Sequence, residues 1–356
     1  MKELSLRIFF FIVVAALLQW ICFPFLVSYV EKTSFIWQES GKRKLNPDRE
    51  IYFFGDSQLM SGVKPDEFSK LTGTAKEKIG FYPLPSDQPE RIWLELLTLR
   101  KKTSFKNRTF IISVSPITLS KNEVTDAHKS LFHNYHPFLP SIMTEPDIMK
   151  FYFKDGAGLV YYLFGRLFPV LRLNGFYSTE IKFLKKEISP ENKDFRSALN
   201  EGFFSALKKN GEMNHHLEET LLKNDFHWEW GTAKEETECH FRADRNSFVK
   251  SSVQILYRER PDSVKTWNKI FDFLQKEEAR FLFVRIPFSP MLEDALSEAE
   301  APDVKLFKEW EQKKKGSVFT VDSDDFSIGD FTDLTHLNSC GRKKFQKALK
   351  DKIKDF

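Results

Sequence analysis

The feature that most constrains this chain is an uncharged apolar run near its N-terminus. The run extends from Ile8 to Val30. As an α-helix rising about 1.5 Å per residue, it is long enough to cross a hydrocarbon core of roughly 30 Å. Lys2 and Arg7 precede it, and no small-x-small cleavage pattern ends it. We therefore predict an uncleaved signal anchor, with the N-terminus in the cytoplasm and everything after residue 31 periplasmic or extracellular.

The remainder of the chain has the organisation of one elaborated domain behind this anchor. Residues 32–49 are polar and predict a stalk, and residues 50–356 predict the domain itself. Within it, 120–260 interrupts the alternation of strands and helices and predicts a mostly helical insertion. The apolar stretch 158–172 contains arginines, which argue against a second membrane span. It is expected to be a core or cap helix, with a helix lying on the membrane surface as the alternative.

Charge and cysteine content limit the classes of partner and compartment. Lys plus Arg number 54 against 50 Asp plus Glu, a net charge of only +4, and the charges are interspersed. We therefore predict no nucleic-acid partner. Cys22 falls inside the predicted anchor. Cys239 and Cys340 could pair in an oxidising compartment, and two free thiols are the equal alternative.

Short apolar runs alternate with helical patterns on both sides of the insertion. A helix with apolar residues on one face is expected from Ser86, another from Pro261, and a last one from about Ser339. The alternation predicts an α/β fold, with a parallel sheet covered by helices on both faces and right-handed crossovers. Functional sites in such sheets lie beyond the carboxyl ends of the strands. The predicted strands cover residues 50–54, 76–82, 109–114, 281–286 and 317–321.

Two short motifs carry the predicted chemistry. Gly55-Asp56-Ser57 directly follows the first strand, where a serine opening a helix presents its hydroxyl and its own N–H. A serine hydroxyl needs a base to remove its proton, and the base needs a carboxylate to fix its tautomer. Asp333 and His336, three residues apart near the last helix, supply both groups. The sequence therefore predicts Ser57 as nucleophile, His336 as base and Asp333 as the acid that orients it.

These two motifs resemble the first and last conserved blocks of the SGNH or GDSL hydrolases. The last block continues here as Asp333-x-x-His336-Leu337-Asn338. The resemblance implies a flavodoxin-like sheet, with the catalytic roles assigned above. It also implies an oxyanion hole built from the N–H of Ser57, from Gly80 in the best match to the second block, and from the third block. The family has G-x-N-D in the third block, whereas this chain has Ser113-Val114-Ser115-Pro116, so Ser115 is the candidate donor there.

The arrangement of anchor, stalk, motifs and helical insertion looks like a subgroup of bacterial membrane-anchored SGNH-like proteins of largely unknown function. More distantly, it is similar to envelope proteins that acetylate exported alginate or transfer D-alanine to teichoic acid. The resemblance implies a serine esterase or O-acyltransferase that acts on an envelope glycan or lipid ester through an acyl-Ser57 intermediate. The missing third-block asparagine supports the alternative, an inactive SGNH-fold envelope protein that serves as a binding or assembly module.

No cofactor or metal is expected. The strongest metal candidate is His215-His216 with Glu218 and Glu219, but adjacent histidines on a helix point in different directions, and the charged surroundings favour a solvated face. The membrane is the expected partner, and no protein partner follows from the sequence.

Overall fold

The computed structural model describes residues 2–30, 45–84, 87–119, 227, 238–241, 261–297 and 302–354. The chain divides into two units. One comprises Met1–Lys42 and Thr125–Glu219, and the other Arg43–Val124 and Thr220–Phe356. The predictions for 158–172 and for His215-His216 lie outside the described residues.

The first unit contains the N-terminal helix α1, Lys2–Val30. It begins six residues before the apolar run, and Arg7 donates a hydrogen bond to Glu3 (2.6 Å) in this first part. Large apolar side chains such as Phe9, Phe10 and Phe11 are exposed along it. Among the described residues, α1 is the one helix long and apolar enough to cross a membrane. The helix predicted from the sequence is therefore present.

The second unit is built on a parallel sheet of five described strands in the order β2-β1-β3-β4-β5. β1 lies between β2 and β3, with Tyr52 opposite both Gly80 and Phe110. Every strand pair is parallel, and helices occur between the strands along the chain, which confirms the predicted α/β class. The strands are β1 Ile51–Phe54, β2 Ile79–Phe81, β3 Thr109–Ser113, β4 Arg280–Arg285 and β5 Val318–Thr320.

The helices of this unit begin mostly at prolines or at capped positions. Proline suits the first helical turn because the backbone N–H groups of that turn have no partner within the helix, so proline loses no hydrogen bond there. Short 3₁₀ turns at Lys76–Lys78, Ser323–Asp325 and Ile328–Asp330 complete the connections. The helices are α2 Ser57–Gly62, α3 Pro65–Thr72, α4 Pro89–Arg100, α5 Pro116–Leu119, α6 Pro261–Lys276, α7 Pro290–Ser297, α8 Pro302–Lys313 and α9 Ser339–Lys354.

Apolar side chains pack on both faces of the sheet, because residues alternate sides along each strand. On one face Tyr52 stacks on Phe110, with ring centroids 5.1 Å apart. On the other face Phe53 meets Phe68 of α3 edge to face at 5.2 Å. Phe345 of α9 belongs to the same buried cluster as Phe53. The sheet is thus covered by packed side chains on both sides, and its carboxyl edge offers defined positions for a site.

A disulfide joins Cys239 to Cys340, whose Cα atoms are 5.8 Å apart. Of the two alternatives left open by the sequence, the structure contains the pair. The bond connects residues 238–241, at the far end of the predicted insertion, to the first turn of α9. It therefore fixes a segment distant in sequence against the helix that follows His336.

Candidate active site

The junction of β1 and α2 carries the Gly55-Asp56-Ser57 motif. β1 ends at Phe54 and α2 begins at Ser57. A Cβ atom built on Gly55 would lie 2.0 Å from Ser113 Oγ, so glycine is required where the chain passes this close to β3. The close approach lets the chain turn directly from strand into helix. Ser57 consequently stands beyond the carboxyl end of β1, half-buried.

Asp56 is a buried carboxylate that caps α2. Its Oδ1 accepts the backbone N–H of Gln58 (3.1 Å), and its Oδ2 accepts the hydroxyl of Ser115 (2.7 Å). Burial raises the pKa of the Asp56 carboxyl, and the hydrogen bonds from Ser115 and Gln58 act in the opposite direction. Asp56 therefore ties the start of α2 to the chain that follows β3, and so holds Ser57 in place.

The turn from Asp333 to His336 forms around one carboxylate oxygen. Asp333 Oδ1 accepts the backbone N–H groups of Thr335 (2.9 Å) and His336 (3.0 Å). Burial raises the pKa of Asp333. Attraction to the His336 ring and hydrogen bonds from that ring and these two N–H groups together outweigh burial and hold the pKa below its usual range. Asp333 is therefore ionised at neutral pH and faces the imidazole as a pure acceptor.

The two motifs meet at the carboxyl edge of the sheet. His336 Nε2 lies 2.9 Å from Ser57 Oγ, and His336 Nδ1 lies 3.0 Å from both carboxylate oxygens of Asp333. Because the Asp333 carboxylate only accepts, Nδ1 carries the ring proton and Nε2 is left to accept from the Ser57 hydroxyl. The geometry is that of a nucleophile, a base and an orienting acid.

A direct bond also connects the two segments that carry the motifs. Gln58 Nε2 donates to the carbonyl oxygen of Thr335 (3.2 Å). Gln58 is 1% exposed, and the bond as a whole is part-buried. It fixes α2 against the histidine turn next to the Ser57–His336 contact. The sequence did not single out Gln58, since nothing local indicates a partner 277 positions away.

The three predicted oxyanion donors have different surroundings. Ser57 is the first residue of α2, and no acceptor among the described residues takes its N–H, which is typical of a helix N-terminus. Both donors of Ser115 are engaged: its hydroxyl donates to Asp56, and its N–H donates to Thr118 Oγ1 (3.2 Å). In this conformation Ser115 therefore has no hydrogen to offer an oxyanion.

Gly80 lies inside β2, opposite Tyr52, rather than beyond the end of the strand. The chain reaches the Gly55-Asp56-Ser57 motif only four residues later. There the N–H of Leu84 donates to the carbonyl oxygen of Gly55 (2.8 Å). The register therefore places Gly80 at the level of the sheet and not at the level of Ser57. Of the three predicted donors, only the backbone N–H of Ser57 therefore lies next to the Ser57 hydroxyl and is not taken by an acceptor among the described residues.

A second buried polar cluster stands at the start of α4. Arg91 forms ion pairs with Asp87 and Glu95 and donates to the carbonyl oxygen of Tyr82 (3.0 Å). Burial raises the pKa of Asp87, Arg91 lowers it, and the charge of Asp56 raises it further. The cluster thus contributes to the electrostatics around the capping carboxylate of α2. Across the described ranges, no group of three or more His, Cys, Asp or Glu side chains is arranged to hold a metal ion.

No protein-family model matches this chain, and no curated protein matches it.

Proposed function

We propose that this chain is a membrane-anchored SGNH-like serine esterase or O-acyltransferase. The observation that carries the proposal is the contact of Ser57 Oγ with His336 Nε2 at 2.9 Å, with Asp333 on the opposite side of the ring. The strand order 2-1-3-4-5 supports a flavodoxin-like sheet, the architecture implied by the resemblance. The motifs lie after β1 and before α9, in the order in which the family has them.

In the first half of the reaction, Ser57 Oγ attacks the carbonyl carbon of an ester while His336 Nε2 takes the hydroxyl proton. Asp333 stabilises the resulting imidazolium and keeps Nδ1 directed towards itself. The N–H of Ser57 supports the negative charge that develops on the carbonyl oxygen. When the tetrahedral intermediate collapses, His336 returns the proton to the leaving alcohol, and the acyl group remains on Ser57.

In the second half, His336 Nε2 removes a proton from the acceptor hydroxyl, which attacks the acyl-Ser57 carbonyl. His336 then protonates Ser57 Oγ as it leaves. Water as acceptor gives an esterase, and a glycan hydroxyl gives an acyltransferase. The same three residues serve both outcomes.

We further propose that the catalytic unit works on the outer side of the membrane, on an envelope glycan or a lipid ester. Lys2 and Arg7 before the apolar part of α1 favour a cytoplasmic N-terminus. The Cys239–Cys340 disulfide supports the same orientation, because disulfides persist in oxidising compartments. A membrane anchor keeps the site close to substrates that are embedded in the bilayer or exported through it.

Labelling with a fluorophosphonate probe tests the proposed chemistry on the full chain in detergent. We expect the wild type to be labelled on Ser57, and both Ser57→Ala and His336→Ala to abolish labelling. Ser61→Ala changes a buried hydroxyl in the same helix, bonded to the Gln58 carbonyl oxygen, and His240→Ala removes an exposed histidine. Both controls should keep the label.

The engaged donors of Ser115 favour one alternative, an inactive SGNH-fold protein that acts as a binding or assembly module. Loss of one oxyanion donor typically slows such enzymes by about 10²–10³. A folded wild type that the probe does not label, even after long exposure, would support this alternative and contradict the esterase proposal.

A further inference from the structure

The last helix, α9, has a larger positive charge than the whole chain. From Ser339 to Lys354 it has seven basic residues and one acidic residue, a net charge of six positive. The whole chain carries only +4. The rest of the chain is therefore net negative, and the even spread of charge predicted from the sequence does not hold for this helix.

Four of these lysines form a single row, which we call the lysine stripe. Their spacings of four, three and four residues place them on one face of a helix. At about 1.5 Å per residue the stripe is roughly 16 Å long. Phe345 and Leu349 are fully buried on the opposite face, which fixes the rotation of α9 and turns the stripe outward. The stripe consists of Lys343, Lys347, Lys350 and Lys354.

The stripe has no partner among the described residues, for none of its lysines takes part in an ion pair there. Lys344, which lies beside it, does bind Asp330 (2.7 Å). Lysines four residues apart on a helix repel one another. The helix macrodipole favours cations only in the last turn, so it does not account for Lys343 or Lys347. Asp351 lies four residues after Lys347 and three before Lys354, so it offsets part of this repulsion, but one carboxylate leaves a row of four lysines strongly positive.

We infer that the lysine stripe binds the anionic phosphate headgroups of the bilayer in which α1 is anchored. A straight, outward-facing row of ammonium groups fits a flat anionic surface, and clustered lysines near a membrane are attracted to acidic lipids. The bilayer is the anionic surface that a chain with a membrane-spanning helix never leaves. The inference rests on the proposed anchoring by α1, goes beyond the proposed activity, and does not depend on Ser57.

Lysine footprinting tests this inference on the full chain in lipid nanodiscs. One set contains phosphatidylcholine alone, and the other also contains phosphatidylglycerol. A water-soluble amine-reactive ester is applied briefly, and mass spectrometry reports the modification of each lysine. At low salt, we expect the stripe to react several-fold more slowly in the anionic discs. The reactivity should return in 1 M salt, where the Debye length falls to about 3 Å. Equal reactivity in both sets of discs would overturn the inference.

Charge-reversed variants separate the stripe from general electrostatics. In Lys347→Glu/Lys350→Glu, the lipid-dependent protection of Lys343 and Lys354 should disappear. The matched control reverses two exposed lysines outside α9, Lys102→Glu/Lys276→Glu, and should retain it. Retention in the stripe variant contradicts the inference.

A third experiment compares protection of the stripe by a soluble polyanion with protection by an anionic lipid. If polyphosphate protects the stripe in phosphatidylcholine discs while phosphatidylglycerol does not, the partner is a polyanion and the lipid inference is wrong. We expect the reverse. Probe labelling of Ser57 reports the proposed activity in the same samples, so failure of one proposal is distinguishable from failure of the other.

Discussion

Gly55 is the residue on which the position of Ser57 depends most directly. In Gly55→Ala, the new Cβ would lie 2.0 Å from Ser113 Oγ and 2.9 Å from Ser113 Cβ, closer than such atoms can remain. We expect the substitution to lower the free energy of unfolding by about 1–3 kcal/mol, the usual cost of overpacking. The same displacement should slow probe labelling of Ser57. Chemical denaturation in detergent and labelling rates measure the two effects.

A compensating change at Ser113 serves as the control. Ser113→Gly removes both of the atoms that lie closest to the added Cβ. Gly55→Ala/Ser113→Gly should therefore be less destabilised, relative to Ser113→Gly alone, than Gly55→Ala is relative to the wild type. Equal losses in the two backgrounds would show that the approach of Gly55 to β3 is not the cause.

Asp333 makes a pH-dependent contribution to stability whose sign follows from its environment. Its pKa lies below the usual range in the folded protein, whereas the pKa of an aspartate in the unfolded chain is about 3.9. As the pH falls, the folded state therefore binds fewer protons at this site than the unfolded state does. The contribution to stability is complete well above the unfolded-state pKa, and it is lost as the pH falls towards the folded-state pKa. We expect the difference in melting temperature between the wild type and Asp333→Asn to be largest at neutral pH.

This difference should shrink below about pH 4, as the unfolded-state aspartate becomes protonated. Thermal melting at a series of pH values measures it. A difference that stays constant from pH 7 to pH 3 would mean that the charge of Asp333 contributes nothing to folding.

At the scale of elements, the strands were predictable because buried parallel strands are continuous apolar runs. Thr109–Ser113 falls within the predicted segment 109–114. β2 is shorter than predicted, since Lys76–Lys78 form a 3₁₀ turn before it. The bounds of a strand depend on which backbone groups find a partner, and this is decided by the neighbouring strand rather than by local composition.

The site divides in the same way between local and long-range information. The roles predicted for Ser57 and His336 come from short local motifs: a serine that directly follows a strand, and a histidine three residues after an aspartate. The donors of Ser115 depend on where Asp56 lies, and the level of Gly80 depends on the register of β2 against β1. These are contacts between segments far apart in the sequence, and no local pattern encodes them.

The disulfide closes a long covalent loop in the described part of the chain. Cys239 and Cys340 are separated by 101 residues. Closing a loop of this length restricts the unfolded chain and is expected to contribute about 4–5 kcal/mol in the chain-entropy model. Cys239→Ser/Cys340→Ser should therefore melt at a clearly lower temperature than the wild type. Calorimetry or a thermal-shift assay checks this.

Reduction provides an independent control for the same cross-link. A reducing agent should lower the melting temperature of the wild type towards that of the double variant and leave the double variant unchanged. Since Cys340 lies four residues after His336, probe labelling of Ser57 should fall in parallel. Equal melting temperatures for the oxidised wild type and the double variant would show that the bond does not stabilise the fold.

The whole molecule combines two features that favour one orientation in the membrane. Lys2 and Arg7 precede the apolar part of α1, and the unit that carries Ser57 contains a disulfide. Neither is sufficient alone. Together they support the proposal that residues after the anchor cross to the outer side during membrane insertion.

Reporter fusions after Phe356 test this orientation in a bacterial host. Alkaline phosphatase needs its own disulfides and is active only outside the cytoplasm, so we expect the full-length fusion to be active. A matched fusion that lacks residues 2–30 removes the anchor and should be inactive, because the domain then stays in the reducing cytoplasm. A green fluorescent protein fused at the same position gives the complementary signal. A fluorescent full-length chain whose phosphatase fusion is inactive would reverse the orientation, and would leave the site around Ser57 without access to an envelope glycan.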